Sequence, residues 1–326
     1  MPGVIAKNII RGTPEHGYAV LPSFSYVFNG LNPKSINFLM VHEESSRFIY
    51  YFMAFGASIC GYAHMRKIVV VDGTHLSGKY EGMLLFAVAQ DTQNHIYHLA
   101  YCVVDKENDT SWASSSRSLK PLLSMNQSCA LSTIDTTAAC LDHEVGFEKW
   151  SRAHFSGNRF NVMTTNIVEL LSSMLHDERE YPVAAIFNSI AHRFGEIFRK
   201  RYTEVDNLKT IFVPVFETVL RKNMIEGDKL YVNINGSTDE FIMLGYGYSV
   251  KVNLSRQSCS CRKYDLMKLT CTHAMAALRL KHGDEYDISI YNYSSQIYSK
   301  ESYLLAYLEP IYAAPLVRSG VWRKSI

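Results

Sequence analysis

The clearest signal in the hydrophobic pattern is the run Ile68, Val69, Val70 and Val71, closed by Asp72 and Gly73. Unbroken β-branched character predicts a strand buried on both faces that stops at a polar turn. Two further apolar runs follow, Met83 to Ala89 and Ile96 to Val104, with Asp91, Thr92, Gln93 and Asn94 between them as turn formers. Together the three predict an antiparallel meander. Upstream, Glu15 to Phe28 is aromatic and aliphatic and gives way to a turn cluster at Asn29, Gly30, Asn32 and Pro33. Ser35 to Met40 and Phe48 to Phe55 read as short extended segments.

Downstream the period changes. Asp109, Thr110 and Ser111 can cap a helix through Leu123, after which Ser124 to Asp142 shows no period. Thr164, Thr165 or Asn166 caps a second helix with Ile167, Leu170, Leu171 and Met174 on one face. A longer helix is predicted from Pro182, placed at a first helical position. It runs through Ile186, Ile190, Phe194 and Ile197 to Arg199, Lys200 and Arg201, whose charge suits a helix C-terminus. Leu230 to Leu254 alternates as antiparallel strands do.

Composition narrows the class. With 326 residues and 47% hydrophobic content the chain can bury a large core. Its net charge of +2 supplies no global field toward nucleic acid or anionic lipid. DNA contact would therefore need local patches, at Arg199 to Arg201, at Arg256, Arg262, Lys263 and Lys268, or at Arg318, Arg323 and Lys324; solvated helix faces explain most such clusters. The apolar stretch Phe48 to Ala63 falls short of the roughly 20 residues a membrane span needs. It is read as buried strand or helix, and no membrane partner is expected. The N-terminal residues lack the apolar centre of a secretory signal, so export is not expected either.

Seven cysteines are an odd number for a disulfide framework, and three of them crowd into residues 259–271. Cys259, Cys261, Cys271 and His273 offer three thiolates and one imidazole, a closed tetrahedral set suited to structural Zn²⁺ with no position left for a reacting water. The strand before them can deliver the first two from a turn. Thr270 or Thr272 can then start a helix with Ala274, Ala277 and Leu278 on its packing face and Gly283 as its stop. Three thiolates around Zn²⁺ leave one negative charge, which Arg262, Lys263 and Lys268 can offset. His282 is a weaker substitute ligand. Cys60, Cys102, Cys129 and Cys140 have no ligand spacing and read as ordinary thiols.

C-x-C followed by C-x-H and an apolar helix resembles the SWIM zinc finger, and Val252, Asn253 and Leu254 fit that family too. The strand ending at Asp72, with Gly73, Thr74, His75, Leu76, Gly78, Lys79 and Tyr80, resembles the first catalytic strand of plant Mutator-like (MULE) transposases. Ser111 with Trp112, Phe147 to Arg152, Asn158 to Asn161 and Thr164 to Glu169 resemble later parts of that family in the same order.

The resemblance implies an α+β fold: an incomplete RNase H-like three-stranded meander with helices, a helical region, and a small zinc-stabilised strand-turn-helix module. It divides the chain into an N-terminal region (1–65), the first part of the transposase core (66–123), an unmatched junction (124–144), a helical later part (145–225), the zinc finger with its leading strands (226–290) and a C-terminal tail (291–326). It also implies a plant nuclear protein whose partners are DNA or protein and no small-molecule substrate. In the family three carboxylates hold two divalent metals for phosphoryl transfer. Asp72 matches the first and Glu169 the third, although a turn residue and a first-turn helix acid describe them equally well. The second belongs at the end of a fourth strand; Asp135 is the weak candidate, and Asp142 a weaker one, because no β-branched run precedes them. An internal truncation lacking that strand implies exposed sheet edges, poor stability in this half and no catalysis. Mg²⁺ is expected only if the carboxylate set is intact.

Overall fold

The computed structural model describes residues 12–79, 81–105, 129–132, 169–171, 173–235, 238–245 and 248–315. Helices α1 (Pro14–Ala19) and α2 (Leu21–Leu31) come first among the described residues, with the Thr13 side chain accepting from the His16 amide at 3.2 Å to cap α1. The helix α2 thus runs through Asn29 and Gly30, and the turn begins only at Asn32. Strands β1 (Ile36–Val41) and β2 (Phe48–Ala54) occupy the expected extended segments, and α3 (Gly56–Tyr62) follows within the stretch once compared with a membrane span. No helix among the described residues is long and apolar enough to cross a membrane.

The meander is present as β3 (Ile68–His75), β4 (Met83–Gln90) and β5 (Ile96–Val104). It sits inside a larger sheet. The strand order is β1-β2-β5-β4-β3-β6, all neighbours antiparallel except the last pair, where β6 (Cys129–Ser132) runs parallel to β3. Two expectations are corrected here. The residues between Leu123 and Val145 do contribute a strand, with Ile68 opposite Cys129 and Val71 opposite Ser132. The meander's edges are also covered, by β2 on one side and β6 on the other, so the argument for an exposed, unstable edge falls away.

A third difference concerns β3, which continues past Asp72 and Gly73 to His75. A Cβ at Gly73 would come within 2.7 Å of Leu85 Cδ2, so glycine lets the neighbouring side chains close over the strand where a turn was expected.

The helix α4 (Val183–Asp206) crosses the face of the sheet, with Pro182 as its N-cap. Phe187 meets Tyr51, and Phe194 meets Phe55, His98 and Tyr101. Its buried stripe, Ile186, Phe187, Ile190, Phe194 and Phe198, is worth about 1.5–3 kcal/mol per side chain as an upper estimate. The helix runs on for more than a turn beyond Arg201, so the basic trio is not its terminus. Arg201 turns inward to the Ile96 carbonyl and the Tyr307 hydroxyl, both at 2.7 Å, which removes it from any DNA patch.

The second half builds on α5 (Pro214–Gly227) and a four-stranded sheet in the order β10-β9-β8-β7, from β7 (Tyr231–Ile234), β8 (Glu240–Gly245), β9 (Tyr248–Asn253) and β10 (Ser258–Cys259). The short α6 (Lys263–Met267) and then α7 (Thr272–His282) follow. The segment read as a tail packs into the fold through residue 315. After α8 (Tyr286–Ser289), α9 (Lys300–Ala306) brings the Ala306 carbonyl to the Tyr97 hydroxyl at 2.9 Å. Beyond it, the Tyr312 amide donates to Asn32 and the Ala314 amide to Asn188, each at 2.8 Å. Gly61 makes this approach feasible, since a Cβ there would lie 2.1 Å from the Ala306 carbonyl oxygen.

Candidate functional site

Four chain segments converge on the cysteine cluster. β9 and β10 form a narrow hairpin in which Cys259 pairs with Val252. The chain then reverses through Arg262, at φ 65° in the left-handed region, with its amide donating to the Cys259 carbonyl at 2.8 Å. Asp265 on α6 accepts from the Cys259 amide at 2.9 Å and pins the turn from the other side. Lys268 is again left-handed, at φ 52°, and ends α6 so that Leu269 and Thr270 lead into Cys271, the N-cap of α7. That approach is anchored externally: Asn223 on α5 donates to the Thr270 carbonyl at 2.8 Å, and the Ser295 amide donates to the Lys268 carbonyl at 2.7 Å.

The result brings one ligand atom from each of Cys259, Cys261, Cys271 and His273 within 4.8 Å of the others. Cys261 Sγ lies 3.7 Å from Cys271 Sγ, and Cys259 Sγ lies 3.8 Å from His273 Nδ1. Zn–S bonds of about 2.3 Å at tetrahedral angles imply sulfur atoms about 3.8 Å apart, so the donor set fits Zn²⁺. Nδ1 is the imidazole atom turned to the cluster. Cys259 and Cys271 are buried while Cys261 and His273 are partly exposed, leaving the centre beneath the surface with one open side. Donation by Cys259, and then by Cys271, holds the Cys261 thiol well below the usual value, and the same contact pushes Cys259 well above it. A divalent cation replaces those shared protons on binding, so its affinity weakens as the pH is lowered. Arg262 and Lys263 stand exposed beside the cluster. His282 points elsewhere, its Nε2 3.3 Å from the Tyr293 hydroxyl.

The carboxylates are distributed differently. Asp72 lies on β3, 3% exposed, and accepts from the Gly73 amide at 2.7 Å. Burial raises its carboxyl above the ordinary value, partly offset by that hydrogen bond. Glu169 is exposed on a helical segment at 169–171. Asp135, Asp142, Cys140, Arg318, Arg323 and Lys324 lie outside the described residues. β6, three residues before Asp135 in the sequence, is the immediate neighbour of the strand carrying Asp72. Cys60 and Cys102 are free thiols away from the metal cluster, as their spacing suggested.

Sequence reasoning missed Asp265, Asn223 and the α5 scaffold. Asp265, an acid inside the short span between the second and third cysteines, was the available signal; Asn223 had none, since its role exists only through contact with Thr270.

Comparison with known protein families agrees with this geometry. Residues 68–164 match the family model of the MULE transposase domain, and residues 248–282 match that of the SWIM zinc finger. No curated protein and no solved structure gives a significant match. The chain joins a segment similar to the MULE transposase domain to a C-terminal segment similar to the SWIM zinc finger, and the latter carries a Cys₃His set suited to structural zinc.

Proposed function

We propose that this chain is a transposase-derived plant nuclear protein that contacts DNA, holds Zn²⁺ for structure and does not cut the strand. The observation that carries it is the closed Cys₃His set flanked by exposed Arg262 and Lys263. A cluster with four soft ligands offers no site for water, whereas cations fixed on its surface suit phosphate oxygens. Burial of Asp72 supports the absence of cleavage, because Mg²⁺ keeps several waters and needs room for them. Replacing Arg262 and Lys263 with Gln is expected to weaken retention on duplex DNA and to lower the slope of log affinity against log salt by about two, with zinc content unchanged. Equal retention and slope would move the module to a protein partner.

A second reading, Mg²⁺-dependent strand cleavage and joining on an RNase H-like sheet, is favoured by one observation. The family resemblance sets the second carboxylate at the end of a further strand after the meander; β6 follows the meander and pairs in parallel with β3, and Asp135 comes after it in the chain. Under this reading Asp72, Asp135 and Glu169 would hold the metals. Strand transfer with Mg²⁺ or Mn²⁺ is expected to equal that of an Asp72→Asn control if the first reading holds. Activity above the control establishes the second.

A further inference from the structure

We propose that Arg179 is a phosphate-binding residue, holding the backbone of a DNA strand at the end of β3 on the face that carries Asp72. The inference deepens the DNA-contacting reading and rests on it.

Arg179 belongs to the single 3-10 turn Glu178–Glu180 that precedes α4. Its neighbour Glu178 is 1% exposed and is clamped to α4 by Arg193 Nη2 at 2.5 Å and Ser189 Oγ at 3.1 Å. Arg193 also donates to the Met174 carbonyl, tying the turn to the segment before it. The Arg179 carbonyl in turn accepts from the Ser77 amide at 3.0 Å, just past the end of β3. The backbone on which this guanidinium stands is thus held from both α4 and β3.

The side chain reaches the sheet, where Arg179 Nη1 donates to Thr74 Oγ1 at 3.1 Å. Thr74 is two residues beyond Asp72, and residues two apart along a strand share a face, about 7 Å apart. The pairings agree: Asp72 lies opposite Phe86 and Thr74 opposite Leu84, while Phe86 and Leu84 lie opposite Tyr101 and Val103, the side on which Phe194 of α4 packs. A cation is therefore anchored one pleat from the buried carboxylate.

Its bonding is incomplete. Arg179 makes no ion pair with a carboxylate among the described residues, and its Nε is buried without a hydrogen-bond partner. Of the two acids beside it in the chain, Glu178 is committed to Arg193, and Glu180 forms no ion pair with Arg179. No ion pair joins Arg179 to Asp72. A buried guanidinium N–H left unsatisfied costs free energy, and the planar fork of arginine matches a phosphodiester in two bonds at once. The residue as a whole is only partly buried, but Nε itself is closed off from solvent, so a phosphate bonds it only once the guanidinium turns outward.

The test measures binding of a short fluorescent DNA duplex to the full zinc-loaded chain across a salt series. Arg179→Gln is expected to lower affinity roughly tenfold and the salt slope by about one, and Arg179→Lys to recover most of the loss. Arg179→Met, which keeps the apolar stem, carries the decision if Arg179→Gln melts early. Wild-type affinity and slope in a folded Arg179 variant would overturn the site. The Arg262/Lys263 double variant separates the two ideas: binding lost there and kept at Arg179 preserves DNA contact but removes this site, whereas binding lost at Arg179 alone preserves it and relocates the DNA. Absence of any salt-dependent binding by the wild type overturns both.

Discussion

Withdrawing Zn²⁺ with a strong chelator, or replacing Cys271 with Ser, is expected to unfold residues 248–282 and to cause the largest loss of stability of any change considered for this protein. The module is a two-strand turn and two helices, α6 and α7, over a small core in which Leu254, Tyr264, Leu269, Met275, Ala277 and Leu278 are buried. So little apolar area cannot offset the ordering of that many residues. Structural Zn²⁺ supplies an apparent binding energy of about 10–16 kcal/mol in finger peptides, enough to decide whether such a unit folds. Cys271 is the sensitive position because it is buried at the start of α7, and α7 is seated on α5: a Cβ at Gly227 would lie 2.8 Å from the Thr272 carbonyl oxygen. Losing the metal should therefore loosen α5 as well. Amide exchange before and after chelation, with metal content by mass spectrometry, checks this. Unchanged protection of Ala274 to Leu278 in metal-free protein would show that the cluster is not what holds the module.

Asp91→Ala should be the most damaging single change in the transposase-like half. The Asp91 side chain is 1% exposed, yet it accepts from the Gln93 and His95 amides at 2.8 Å, from the Tyr307 hydroxyl at 2.8 Å and from His95 Nδ1 at 3.3 Å, with Arg201 Nη1 at 3.9 Å. The β4–β5 turn, α4 and the segment after α9 meet there. Truncation leaves the Arg201 charge and the Tyr307 hydroxyl without that carboxylate, for an expected loss of about 3–5 kcal/mol. Burial pushes the Asp91 carboxyl up, but the His95 hydrogen bond, the Arg201 charge and the Tyr307 hydroxyl outweigh it and hold it below its ordinary 3.8. A depressed carboxylate contributes stability that is present above the unfolded value and lost as pH falls through the folded one. Urea unfolding at neutral pH and below about pH 4 should thus show wild type losing this contribution in acid, and Asp91→Asn losing less. Equal acid sensitivity in the two chains would assign the network no electrostatic role.

Particular elements show why some of this could be read from residues and some could not. β3, β4 and β5 were legible because each is an apolar run of strand length bounded by turn formers. The Cys₃His cluster was legible because all four residues fall within 259–273, and the strand before them and the helix after them carry local signals. β6 was not, since Cys129 to Ser132 has no β-branched residue; its strand state comes from backbone pairing with β3. Asp72 was expected at a turn, because the Leu85 and Met83 side chains that cover Gly73 are invisible in a local window. Arg179 stands among Asp177, Glu178 and Glu180 with no local pattern to single it out, and its approach to Thr74 exists only in the folded chain.

Residue order alone determined the mixed helix and strand content, the central meander and the Cys₃His ligand set, since each depends on periodicity or on ligands close in the chain. Tertiary structure alone decided that six strands share one sheet, that Arg201 is spent on Tyr307 and Ile96, and that residues 291–315 close over Tyr97 and Asn32. Such contacts join residues 105 to 280 positions apart. Their stability arises from burying polar partners together, a property of neither residue until the other arrives.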